Sequence, residues 1–301
     1  MPDRPSRFVA RPEDEGRRLD QVLAANVPGL SRQKARVLLD IGGVFVDGAR
    51  TKVAGRVVRR GQVIVAHISG ALHRATNEVG RAARARDDEA LPPLVILHQD
   101  SDIVVVDKPA GLLTAPTPES DRNNLADQLK RTLGGDVLVV HRLDLETSGV
   151  LVFARTPDAN RALAERFRVH DVERVYLAAL RGTLAQDLAT VEQPVAGRRA
   201  LTRFEMKERI GARATFVCCT LETGRTHQIR IHAAHLGHPV LGDRRYGEPG
   251  ELDPPRTALH ARTLGFVHPR TGARVTFERP WPDDLATWLA ALREVAALRG
   301  K

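Results

Sequence analysis

Only two cysteines stand among the 301 residues, and they are neighbours, Cys218 and Cys219, inside an apolar run. Adjacent cysteines do not staple distant segments, so a disulfide framework is excluded. Two positions on a buried strand, in a reducing compartment, are expected instead. Aromatic residues are nearly as scarce, 4% of the chain, which makes each Tyr or Phe near a basic segment informative. No apolar run approaches the length of a membrane span, and the opening residues, MPDRPSRFVARPEDEG, hold no apolar secretion core. A cytoplasmic protein with no membrane partner is expected.

What is present points to RNA. Hydrophobic residues make up 42% and charged residues 28%, a globular composition, and 301 residues favour two domains. The formal charge is +9, and it is concentrated. Between Arg17 and His67 ten Lys or Arg face three Asp, an excess of seven in a sixth of the chain. A polyanionic partner accounts for such a concentration.

The chain divides into a tail at 1–16, a small α/β domain at 17–68, an Ala/Arg/Gly-rich linker at 69–92 and a larger domain at 93–301. In the first domain Leu19, Val22, Leu23 and Val27 share a helical face, and Ser31 caps a second helix that Gly42-Gly43 stops. Short strands follow at Val44–Val46, with a turn at Asp47-Gly48, and at Val63–Val65. The second helix carries Arg32, Lys34 and Arg36 in its first turn, where the helix dipole disfavours cations. A solvated basic face is one account; with the local charge excess, a phosphate site is the better one. Beyond the linker, short β segments alternate with helices expected at 157–170, 226–236 and 283–298. This predicts an α+β fold with a mixed, mostly antiparallel sheet.

Two segments carry candidate chemistry. His141-Arg142-Leu143-Asp144-Leu145-Glu146-Thr147-Ser148-Gly149 is a polar loop between two apolar β runs. From the residues alone it could be ordinary Asx-turn chemistry, or Asp144 and Glu146 could be paired carboxylates of a glycosidase. Thr223-Gly224-Arg225-Thr226-His227-Gln228-Ile229-Arg230 follows a strand and opens a helix, placing Arg225 where a nearby anion would be favourable. His227, His232, His235 and His238 lack metal-ligand spacing, so no metal is expected.

These residues resemble the RluA-type RNA pseudouridine synthases, over about residues 17–282, most of all members that act on large-subunit ribosomal RNA. The resemblance rests on His141-Arg142-Leu143-Asp144 with Thr147-Ser148-Gly149, and on 223–230 running to Gly237-His238-Pro239-Val240, Gly242-Asp243 and Tyr246-Gly247. Asp107-Lys108-Pro109-Ala110-Gly111, Tyr176 with Gly182, Leu259-His260-Ala261 and His268-Pro269 agree more weakly. Residues 17–67 resemble the S-four RNA-binding domain. The resemblance implies a pseudouridine synthase catalytic domain in which Asp144 is the catalytic carboxylate and Arg225 its ion-pair partner. Tyr176 would lie against the target uracil, Arg142 would fill the space the base vacates, and Ile229 would line the pocket. Strand alternation alone would put Tyr176 in the core. No cofactor is expected, because the isomerisation transfers nothing and changes no oxidation state. RNA is the implied partner, and a monomer is expected because nothing in the sequence suggests an obligate dimer; a non-catalytic ribosome-assembly factor on the same scaffold is the alternative. Two departures stand out: Leu-Leu-Thr-Ala-Pro-Thr-Pro-Glu after Gly111, and Arg174 where Lys is common.

Overall fold

The computed structural model describes residues 5–68, 72, 92–116, 124–251 and 253–299. It divides into two compact units, Met1–Pro93 with Ala115–Asn124, and Leu94–Thr114 with Leu125–Lys301. The expected linker lies outside the described residues, apart from Leu72 and Pro92.

In the first unit, helices α1 (Leu19–Asn26) and α2 (Arg32–Asp40) pack beside four antiparallel strands. These are β1 (Ser6–Val9), β2 (Val44–Val46), β3 (Ala49–Arg50) and β4 (Val63–Ala66), in the order β1-β4-β2-β3. Ser31 caps α2 as its sequence demands, its hydroxyl accepting from the Lys34 amide at 3.2 Å. The apolar faces merge into one core of Leu19, Leu23, Leu38, Leu39, Val44 and Ile64, all fully buried. The expected tail is partly structured. Ser6 to Val9 pair with Val63 to Ala66, because the outer edge of β4 would otherwise leave its backbone groups unpaired.

The second unit is built on a ten-stranded sheet in the order β10-β11-β12-β9-β13-β8-β6-β5, with β14 on β13 and β7 on β8. Its strands are β5 (Val95–Gln99), β6 (Ile103–Lys108), β7 (Leu138–Val139), β8 (Ser148–Ala154) and β9 (Glu173–Arg181). They continue with β10 (Leu188–Val191), β11 (Thr202–Ile210), β12 (Ala214–Leu221), β13 (Leu259–Val267) and β14 (Arg274–Glu278). β8 and β13 run parallel; the other described pairs are antiparallel. The helices are α3 (Leu125–Leu133), α4 (Pro157–Arg168), α5 (Gln228–His235) and α6 (Asp283–Arg299). Thr156 caps α4, with Pro157 at its first position. Cys218 and Cys219 lie buried and unbridged on β12, opposite Leu177 and Tyr176. Among the described residues no helix is long and apolar enough to cross a membrane.

Strand β8 is buried along its whole length, with its first residues against β13. Gly149 makes that approach possible. Its φ is +118°, and a Cβ there would lie 2.1 Å from the Ala261 carbonyl oxygen. The polar loop before β8 is thus anchored at its C-terminal end to the centre of the sheet.

Candidate active site

The Asp144 loop is held at several points. His141 stacks on Phe167 with ring centroids 4.5 Å apart, and its Nε2 accepts from the Val152 amide at 3.3 Å. Burial, helped by the Arg174 charge, lowers its pKa to about 3, so the ring is a neutral anchor. Thr114 Oγ1 donates to the Leu143 carbonyl at 3.0 Å and accepts from the Leu143 amide at 3.2 Å. The Gly111 amide donates to the Leu145 carbonyl at 2.8 Å, and the Thr147 amide closes a turn on the Asp144 carbonyl at 3.1 Å.

Beneath the loop lies Lys108, fully buried. Its Nζ donates to the carbonyls of Leu112 at 2.8 Å, Pro109 at 2.9 Å and Leu145 at 3.3 Å. Burial pulls its pKa down to about 7, against the charges of Asp144 and Glu146. Three carbonyl acceptors match the three hydrogens of an ammonium, which favours the charged form more than burial alone would allow.

This frame leaves the Asp144 side chain 23% exposed. Arg230 Nη1 donates to Asp144 Oδ2 at 3.1 Å. The rest of that guanidinium is fixed from behind: Nε and Nη2 form a fork on the fully buried Asp243, at 2.6 and 2.8 Å. Asp243 also accepts from the amides of Arg245 and Tyr246. Burial raises the Asp243 pKa, but these bonds outweigh it and the carboxyl stays low. Arg230 is likewise resisted by burial and raised by its two carboxylates. The Tyr246 ring packs against Arg230, 5.2 Å from centroid to guanidinium carbon, and its hydroxyl lies 2.9 Å from His227 Nδ1. His227 Nε2 is 3.7 Å from Asp144 Oδ1. His227 adopts the left-handed conformation (φ 58°), a strained state for a non-glycine residue that the neighbouring contacts must hold in place.

The expected partner of Asp144 needs correction. Arg225 sits in the turn before His227, and its Nε donates to the Arg199 carbonyl at 3.1 Å. The left-handed kink at His227 starts α5 at Gln228, and it is Arg230, in the first turn of that helix, that pairs with Asp144. Gln228 braces the turn, accepting from the Thr223 hydroxyl and the Arg225 amide and donating to Leu201 and Thr202.

Tyr176 is almost fully buried on β9; burial lifts its hydroxyl pKa to about 12, and Asp144 is close enough to add to the rise. Ile229 is buried in α5, while Arg142 projects exposed from the loop. The departure after Gly111 is described only as far as Pro116. Arg174 is nearly buried, its guanidinium 5.7 Å from the Phe167 centroid and bonded to the Glu222 carbonyl. Sequence reasoning missed the role of Arg230 and Asp243, although both lie within the quoted motifs; their spacing alone does not show which cation turns inward.

Among the described residues one group of ligand-type side chains comes together: His98 and His268 both place Nε2 on Asp100 Oδ2, at 3.0 and 2.8 Å. His268 Nδ1 accepts from the amides of Arg270 and Thr271, so its Nε2 carries the hydrogen and donates to the carboxylate. Asp100 Oδ1 accepts from the Asp102 and Ile103 amides, which makes the cluster a saturated knot joining two loops.

Comparison with known proteins gives the family. Residues 102–235 match the family model of RNA pseudouridylate synthases, and residues 17–64 match that of the S4 domain. The chain is 35% identical to "Ribosomal large subunit pseudouridine synthase D" of Xanthomonas campestris, over 94% of this chain and 91% of that one. It is 38% identical to "Dual-specificity RNA pseudouridine synthase RluA" of Haemophilus influenzae, over 62% of this chain and 92% of that protein. The solved structure of Human RNA Pseudouridylate Synthase Domain Containing 1 superposes with a TM-score of 0.54 at 28% identity, covering 68% of this chain and 96% of that one. An S4 domain followed by a mixed-sheet domain that matches the synthase family model defines a class of RNA-modifying protein. The chain belongs to the RNA pseudouridine synthase family.

Proposed function

We propose that this protein isomerises uridines of large-subunit ribosomal RNA, with Asp144 as the reacting carboxylate and no cofactor. The relatives support this substrate, since several are named as pseudouridine synthases of the ribosomal large subunit. The chemistry rests on one observation above all: a rigidly framed, partly exposed carboxylate paired to an arginine that is itself locked to a buried aspartate.

The reaction breaks the bond between uracil N1 and ribose C1′, turns the ring and joins C5 to C1′. The proton on C5 leaves to solvent and N1 regains one. Nothing else is gained or lost, so the step needs only a charged group beside the anomeric carbon and surfaces to hold the turning base. Asp144 supplies the charge, and Arg230 fixes one oxygen so that Oδ1 remains for the sugar or ring. Tyr176 and Ile229 support the base, and the exposed Arg142 occupies the place it leaves, which offsets part of the unstacking cost of a few kcal/mol. A glycosidase reading would need Glu146 to work with Asp144 as a paired carboxylate, but Glu146 is exposed to solvent.

Large-subunit ribosomal RNA labelled with tritium at uracil C5 tests this. Wild-type protein should release tritium without free uracil, and Asp144→Asn should abolish release while RNA affinity changes little. Full activity in that variant would refute the assignment. Binding with no release by the wild type would favour an assembly factor.

A further inference from the structure

Arg174 is a buried cation without an anion. It stands on β9, 6% exposed, two residues before Tyr176. Its Nη2 donates to the Glu222 carbonyl at 3.0 Å, its Nε is buried with no hydrogen-bond partner, and its guanidinium carbon lies 5.7 Å from the Phe167 centroid. Among the described residues no carboxylate pairs with it. Burial lowers its pKa, and the nearby Arg225 charge adds repulsion. Tyr176 offers no counter-charge, because burial lifts its hydroxyl pKa to about 12 and keeps it neutral at pH 7. One carbonyl and one ring face do not offset the burial of a full charge. A cation held in this state is suited to an anion that arrives with the substrate.

Residues two apart on a strand share a face, about 7 Å from each other, so Arg174 and Tyr176 line the same side of β9. Phe167 joins the cation to the Asp144 loop, since His141 stacks on the same ring at 4.5 Å. The Arg174 charge is felt at both His141 and Tyr176, and the Asp144 charge is felt at Tyr176. Nη1 occupies the space that a side chain at the exposed Gly224 would need. Backbone phosphates stay at the surface of a bound RNA, whereas an extruded base enters to the depth of Tyr176.

The isomerisation creates an anion at that depth. When the bond from N1 to C1′ breaks, its electron pair stays with the ring and spreads over N1 and the two carbonyl oxygens. C5 then bonds to C1′, the C5 proton leaves to solvent and N1 takes one up, so no further reactant enters. We propose that Arg174 is the cation that stabilises the departing uracil, in the same step for which Asp144 supplies the negative charge. The proposal deepens the reaction proposed above and rests on it. A fixed charge in a dry site acts on the transition state without having to reorganise, the condition in which such groups contribute most.

Arg174→Met keeps the length and apolar packing of the side chain and removes its charge. In tritium release from large-subunit ribosomal RNA labelled at uracil C5, kcat should fall about a hundredfold while KM changes by less than about threefold. The melting temperature should stay level or rise, because the free protein loses an unpaired buried cation. Arg174→Lys restores a cation and should recover kcat to within about tenfold of wild type. Unchanged kcat in Arg174→Met overturns the proposal, as does a raised KM alone, the sign of a phosphate contact. Equal losses in the Lys and Met variants overturn it too, since shape and not charge would then matter. An Arg174→Met protein that fails to fold or melts well below wild type counts the same way, because the cation would then serve the fold. Absence of tritium release by wild-type protein would instead count against the reaction itself.

Discussion

Arg230 offers Asp144 a single nitrogen, Nη1 at 3.1 Å from Oδ2, because its Nε and Nη2 are already committed to Asp243. An arginine free to fork onto Asp144 would occupy both carboxylate oxygens. Held from behind by a buried acid, it steadies one and leaves the other.

Replacing Arg230 by Gln should therefore lower the rate of tritium release about a hundredfold or more, the usual loss when a fixed donor that steadies the reacting charge is removed. Asp243→Asn should produce a smaller loss through the same arginine. Arg225→Gln serves as the contrast: its side chain bonds a carbonyl, so turnover at saturating RNA should fall by less than tenfold. If Arg225→Gln were the more damaging change, Arg230 would not be the working partner.

Much of this site is legible in the sequence, but not its wiring. The loop at 141–149 and the turn at 223–230 stand out because polar residues interrupt apolar β runs, and the sheet class follows from those runs. Which arginine faces Asp144 depends on the left-handed kink at His227, a backbone state that no spacing rule signals. Similarly, β11 escapes a hydrophobic scan because its exposed face carries Arg203, Glu205, Lys207 and Arg209. β1 escapes because four half-exposed residues become a strand only through an edge supplied sixty residues later. The burial of Asp20 is hidden for the same reason: Arg32 and Arg36, two of the arginines that reach it, come from a second helix that meets α1 only in the folded unit.

Gly149→Ala should destabilise the protein by more than about 3 kcal/mol, combining a steric clash with backbone strain of roughly 1–3 kcal/mol. The new methyl would collide with the Ala261 carbonyl, at a φ that L-residues rarely adopt. A melting temperature within 2 °C of wild type, on the usual scale of about 2–4 °C per kcal/mol for a domain of this size, would show that β8 and β13 separate easily.

His227 should set the acid limb of the pH–rate profile. Its pKa lies below the ordinary histidine value because burial disfavours the cation, with Asp144 pulling the other way. The ring is then neutral at pH 7 and becomes charged only below the pH at which an ordinary histidine does. Once charged, the imidazolium draws on Asp144 Oδ1, 3.7 Å away, and competes with substrate for it. Activity should fall with a midpoint below the ordinary histidine pKa of about 6.5, and His227→Gln should flatten that fall. An acid limb that keeps its midpoint in His227→Gln belongs to another group.

Lys108 supports the Asp144 loop through three carbonyls, and two measurements separate its charge from its packing. Lys108→Met keeps the length and the apolar stem but leaves the Pro109, Leu112 and Leu145 carbonyls without their donor. Each buried acceptor so orphaned costs about 1–3 kcal/mol, so melting and turnover should both drop. The pH dependence supplies the sign. With its pKa lowered to about 7 in the fold against about 10.4 unfolded, the unfolded chain holds the extra proton between those values. Wild-type stability should then gain a component that grows from pH 7 towards pH 10, and Lys108→Met should lack it. Equal pH slopes for wild type and variant over that range would mean that Lys108 stays an ammonium throughout, secured by its three carbonyls and the nearby acids.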